Sequence, residues 1–132
     1  MTGMKRGFPN SLVAIVSEDV QFRQSVKERV ESAGLQAYTF PTLQALLDAE
    51  ELQACGCLVL HSETNALNDP AQRSRLRLAC TGRVGILVTE QGNVQTAVQA
   101  VKAGIRDVVQ KPYRDKALLE RIVSALEANV PG

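Results

Sequence analysis

The chain has 132 residues, 45% hydrophobic and 22% charged, a composition that suits one globular core and argues against disorder. Fifteen Lys and Arg against 14 Asp and Glu leave a formal net charge of +1, so no global field draws the chain onto nucleic acid or an anionic membrane. No apolar run approaches the roughly 18 residues that span a bilayer, and the first ten residues lack a signal-peptide core, so the expected compartment is the cytoplasm. Cys55, Cys57 and Cys80 are an odd, sparse set, read as reduced small hydrophobes rather than a disulfide frame. His61 is the only histidine, so Cys55 and Cys57 cannot complete a zinc site.

In chain order, residues 1–10 mix Gly, Pro and charge and read as a flexible lead-in, with the folded unit expected over 11–129 and a linker-like tail at 130–132. Ser11–Val16 is a wholly apolar, β-branched run, the pattern of a strand buried on both faces. Phe22, Val26 and Val30 recur at steps of four on a helix that Gly34 closes. Leu35–Phe40 reads as an edge-like strand, and Leu43, Leu46 and Leu47 mark a second helix. Cys57–Leu60 is a further buried strand. Asp69-Pro70 is an N-cap followed by proline at the first helical position, starting a helix through about Ala79. Val84–Val88 is the fourth strand, Val94–Ala103 a helix closed by Gly104, and Ile105–Gln110 the fifth strand. After the turn at Lys111-Pro112-Tyr113, residues Leu118, Leu119, Ile122, Val123 and Leu126 stripe the last helix. On the fourth helix Ala97, Ala100 and Val101 are expected to face the sheet, leaving Val94 and Val98 outside with Lys102.

Five alternating strand–helix units predict right-handed crossovers and an α/β, doubly wound, five-stranded parallel sheet of order 2-1-3-4-5, flavodoxin-like. Ligands of such sheets bind beyond the carboxyl ends of the strands. At those ends stand Ser17, Glu18 and Asp19 after strand 1, His61 after strand 3, Thr89 after strand 4 and Lys111 after strand 5.

That constellation, carried by VAIVSED at 13–19, LVTEQGNVQTAVQAVKAG at 87–104 and Lys111-Pro112-Tyr113, resembles the receiver domain of bacterial two-component response regulators, the CheY-like superfamily. The steps of 44, 28 and 22 residues separating Ser17, His61, Thr89 and Lys111 need no gaps against the family pattern. The resemblance implies an aspartate on strand 3 that takes a phosphoryl group from a histidine kinase, with two acids after strand 1 for Mg²⁺. It also implies a Ser or Thr after strand 4 and a lysine before a cis proline. Thr89 and Lys111 match. Ser17 stands where the first acid belongs, Glu18 takes the second acidic position, and His61 replaces the acceptor aspartate. The aromatic switch of strand 5 is Val108, which has no two rotamers to swing between.

The expected product of these departures is a pseudo-receiver. It has no catalytic residue, no metal site beyond very weak Mg²⁺ binding, and action by protein–protein contact in signalling or transcription regulation. His61 is expected as a paired or neutral imidazole bonded to Glu18, Asp19 or Thr89, rather than as a phosphohistidine or general base. Lys111 is expected in a salt bridge to Glu18 or Asp19, and Thr89 is expected to bond the loop after it. Cys57 is read as core, and Arg73, Arg75 and Arg77 as a solvated face. Expected partners are a second copy, through the face of helix 4, strand 5 and helix 5 (Val94, Val98, Lys102), and a histidine kinase docking near Phe22, Gln24 and Ser25; an output domain is a further partner. The alternatives are modification at Ser17, Ser62 or Glu63, a small-ligand-sensing pocket, and a small flavodoxin-like enzyme.

Overall fold

A computed structural model describes residues 11–62, 67–90 and 94–128; the 1–10 lead-in, the 130–132 tail and Glu63 lie outside them. The elements run β1 (Leu12–Val16), α1 (Val20–Ser32), β2 (Ala37–Phe40), α2 (Leu43–Leu47), a 3-10 turn (Glu50–Ala54) and β3 (Cys55–His61). They continue with α3 (Pro70–Cys80), β4 (Val84–Thr89), α4 (Val94–Lys102), β5 (Ile105–Gln110) and α5 (Asp115–Ala128). All strand pairings are parallel and the order is β2-β1-β3-β4-β5, as the alternation predicts.

Alternate residues of the central strands feed two cores. Ala14, Val16, Leu58, Leu60 and Leu87 pack with Leu46, Leu76, Ala79 and Ala100, on the side of α2, α3 and α4. Val13, Ile15, Val59, Ile86 and Val88 pack with Val26, Val30, Leu118 and Ile122, on the side of α1 and α5. A two-residue period on a sheet covered by helices on both faces requires this division. Gly34 and Gly104, at φ 85° and 96°, close α1 and α4 in the left-handed region that glycine enters without strain.

Three elements differ from expectation. β2 starts at Ala37 rather than Leu35, because Leu35 packs into the α1–α5 core from the loop before the strand. β3 starts at Cys55, two residues before the apolar run, and the 3-10 turn precedes it directly. On α4, Val101 is 66% exposed instead of facing the sheet, while Ala100 and Ala103 are buried and Ala97 is half-buried. The helix presents its small residues inward, a narrow stripe that leaves the β-branched ones outside.

The three cysteines are buried and free. Burial pushes the thiols of Cys55 and Cys80 up to about 11 against partial relief from Arg83, and that of Cys57 well above its ordinary value, so all three stay protonated core groups. The arginines of α3 are tethered rather than free in solvent. Arg73 donates to the Leu67 carbonyl, Arg75 to Gln44 and Gln72, and Arg77 to the Lys102 carbonyl.

Candidate functional site

The carboxyl ends of β1, β3 and β5 bring Ser17, Glu18, Asp19, His61 and Lys111 together, with Ser62 and Glu90, around an open cleft of about 450 Å³. Local chemistry sets each position. Asp19 caps α1, its carboxylate accepting from the N–H groups of Gln21 and Phe22 at 2.9 and 3.3 Å. The Arg23 guanidinium donates to the Ser17 carbonyl six residues back, before the helix begins. Ser17 is 2% exposed, and its hydroxyl oxygen accepts from the Asp19 N–H at 3.0 Å. Thr89 is 1% exposed at the end of β4 and does not line the cleft; its carbonyl accepts from the Lys111 N–H at 2.9 Å, which ties the β5 loop to β4. The Lys111-Pro112 bond is cis, as the resemblance implies.

His61 is the centre of the cluster. Its Nδ1 lies 2.8 Å from Ser17 Oγ and its Nε2 lies 3.3 Å from Lys111 Nζ. An ammonium can only donate, so Nε2 is the acceptor, and a neutral ring then carries its proton on Nδ1 and donates to Ser17. The proton chain runs from Lys111 through His61 to Ser17, so the imidazole does not act as a base toward the serine. The imidazole stacks on Phe22, with ring centroids 4.0 Å apart and planes 20° apart, and Lys111 Nζ lies 5.7 Å from the Phe22 ring centroid.

These contacts revise three expectations. Lys111 lies against His61 rather than on Glu18 or Asp19, because the imidazole at the end of β3 sits nearer its ammonium and Asp19 is spent on the helix cap. The ring nitrogens of His61 meet Ser17 and Lys111, where Glu18, Asp19 and Thr89 were the expected partners. Phe22, expected near a docking surface, is buried beneath the imidazole, whereas Gln24 and Ser25 are exposed. Phe22 is the functional neighbour that sequence reasoning passed over; the signal was its position three residues after the Asp19 cap, on the first turn of the helix leaving the site. Val108 is half-buried in mid-β5 against the α2–α4 core. Val94, Val98 and Lys102 are exposed on α4, joined by Val101.

Among the described residues, no group of three or more His, Cys, Asp or Glu side chains is placed to hold a metal ion, and no helix is long and apolar enough to cross a membrane.

A parallel 2-1-3-4-5 sheet with a polar cluster at the ends of strands 1, 3 and 5 defines a receiver-like α/β domain. The family model of the response regulator receiver domain matches residues 13–123, and the chain belongs to that family. It is 28% identical over 117 residues to nodulation protein W of Bradyrhizobium diazoefficiens, covering 89% of this chain and 52% of that protein. It is 31% identical over 119 residues to the C4-dicarboxylate transport transcriptional regulatory protein DctR of Rhodobacter capsulatus, covering 89% and 60%. The chain thus spans between half and three fifths of the length of these curated relatives. Among solved structures, the BeF3-activated DrrB receiver domain superposes with a TM-score of 0.73 at 26% identity, covering 88% of this chain and 97% of that one. A CheY-like receiver domain protein from Methanospirillum hungatei gives a TM-score of 0.72 at 20% identity, covering 90% and 95%, a likeness of fold.

Proposed function

We propose that this receiver signals by protein–protein contact without forming an acyl phosphate. The observation that carries the reading is His61 at the end of β3, where the family pattern has its acceptor aspartate. Its ring is engaged by Ser17, Lys111 and Phe22 and holds no carboxylate to phosphorylate. Mg²⁺ prefers six hard oxygens in an octahedron. Here Ser17 Oγ receives two hydrogen bonds, an Asp19 oxygen caps α1, and Glu18 and Glu90 line the cleft without forming, among the described residues, a cluster placed to hold a metal, a donor set that does not suit the ion. With the imidazole proton on Nδ1, Ser17 is not activated as a nucleophile either, in keeping with a non-enzymatic role.

Two of the relatives named above are nodulation and transcriptional regulatory proteins, roughly twice the length of the matched segment. We extend the reading to a cytoplasmic regulator whose full-length form carries an output domain and controls transcription. A histidine kinase docks on α1 around the exposed Gln24 and Ser25. A second copy packs on the face of α4, β5 and α5, where Val94, Val98 and Val101 are 80%, 44% and 66% exposed beside Lys102.

Incubation with radiolabelled acetyl phosphate and Mg²⁺ tests the reading: the expected result is an unlabelled protein. Acid-stable or hydroxylamine-labile label would overturn it, and would point to modification at Ser17, Ser62 or Glu63. The variant His61→Asp supplies the missing carboxylate; because the Mg²⁺ donors are also reduced, it is expected to stay unlabelled, and robust labelling would show that the pocket lies one residue from competence.

A further inference from the structure

We propose that the groove between α1 and α5 is a binding site for a small amphipathic carboxylate, with the apolar body between the helices and the acid on Lys111. The groove holds about 220 Å³ and is floored by Phe22, Val26, Leu118 and Ile122, all buried side chains of the second core. A cavity of about 150 Å³ accepts a benzene ring, so this groove has room for a phenyl or short alkyl body with a one- or two-carbon acid arm.

Charge selects the head group. The two carboxylates at the rim are occupied: Asp115 pairs with Arg29, and Asp19 caps α1. Lys111 lines the groove, and its side-chain contacts among the described residues are the His61 ring nitrogen and the face of Phe22. One ammonium without an anionic partner among the described residues, on the lining of an apolar slot, matches one carboxylate. A dianion such as phosphate suits it less, because Glu18, Asp19 and Glu90 line the adjoining cleft that Lys111 also faces.

The site communicates with the cleft through shared residues. Lys111 and Phe22 line the groove and are also the groups that hold His61 from Nε2 and from its ring face. A carboxylate on Lys111 therefore competes with Nε2 for the ammonium and changes the surroundings of the imidazole. This inference is independent of whether the domain is phosphorylated.

Sodium phenylacetate is the probe, titrated into the untagged chain and followed by NMR, with 2-phenylethanol and 2-phenylethylamine as isosteric controls. His61 is the only histidine, so its ring proton signals report on one site. The expected result is saturable binding of phenylacetate with amide shifts along α1 and α5 and movement of the His61 ring signals. The alcohol and the amine bind ~10-fold or more weakly, the scale of one charge-assisted hydrogen bond. Lys111→Met abolishes the preference for acid over alcohol and Lys111→Arg retains it, with circular dichroism confirming that both variants fold. No saturable binding, equal affinity for acid and alcohol, or shifts confined to another face each overturn the proposal; equal affinity with shifts along α1 and α5 makes the slot a purely apolar contact.

Discussion

Ser17→Ala tests whether the His61 cluster is organised as its polarity implies. The hydroxyl oxygen is the shared acceptor of two donors, His61 Nδ1–H at 2.8 Å and the Asp19 N–H at 3.0 Å, in a residue only 2% exposed. Alanine leaves both donors without that acceptor, and an unsatisfied buried donor costs about 1–3 kcal/mol. His61 is half-buried and Asp19 exposed, so water reaches part of each and the lower end applies, about 2 kcal/mol for the pair. The assay is urea unfolding at pH 8 and fixed protein concentration, read by far-ultraviolet circular dichroism because the chain has no tryptophan. With a urea slope of about 1–3 kcal/mol per molar for a domain this small, the midpoint falls by roughly 1 M. A double-mutant cycle with His61→Phe, which keeps an aromatic ring against Phe22 and deletes both nitrogens, isolates the Ser17–His61 bond at a coupling of about 1 kcal/mol. A loss below about 0.5 kcal/mol for Ser17→Ala, or strict additivity in the cycle, refutes the arrangement.

Three further outcomes follow from packing and charge. A Cβ on Gly85 would meet Cys80 Sγ at 2.7 Å and Ile105 Cδ1 at 3.0 Å, so Gly85→Ala costs about 1–3 kcal/mol in urea unfolding, and adding Cys80→Ala recovers much of the loss. Cys55 and Cys80 titrate near 11 in the fold and near 9 when unfolded, so above pH 9 the unfolded chain holds fewer protons and stability declines. Full stabilisation by these thiols is present below pH 9 and is lost towards pH 11, on the order of 2 kcal/mol for each, measurable as a fall in the urea midpoint. Val98→Lys places a charge on the exposed apolar face of α4, and sedimentation equilibrium is expected to shift towards monomer; an unchanged distribution removes that face from the proposed dimer.

The strands were the most legible part of the chain. β1 and β4 are compact apolar runs, and a strand buried on both faces needs nothing else to declare itself, whereas β5, at the sheet edge, mixes Arg106 and Asp107 with Ile105, Val108 and Val109 and is only partly buried. The apolar run marks β3 only from Cys57 because Gly56 interrupts it, although the strand continues through Gly56 with Cys55 buried. The 3-10 turn at Glu50–Ala54 carries no period and no cap hydrogen bond from a side chain, so nothing in its composition announces it. Val101 was misplaced because a helical wheel weights hydrophobicity, whereas α4 is seated by its alanines, which allow close approach to the sheet. In the site, the membership of Ser17, Glu18, Asp19, His61 and Lys111 was readable because strand ends converge in any doubly wound sheet. Their pairing was not. Opposite charge pointed Lys111 at an acid, but the outcome depended on which groups backbone N–H donors had already claimed, and on a stacking partner one helical turn into α1.

At the opposite end of the sheet from the cleft, Arg83 donates to the Leu52 carbonyl through both Nε and one Nη, and through its other Nη to the carbonyls of Ala79 and Thr81. One side chain therefore sutures the 3-10 turn, the end of α3 and the start of β4 into a single block. Such a block is a fixed base: amide protons around it are expected to exchange with solvent slowly, close to the global unfolding limit. The domain is clamped at this end, so a partner that binds at the His61 end works against a fixed base.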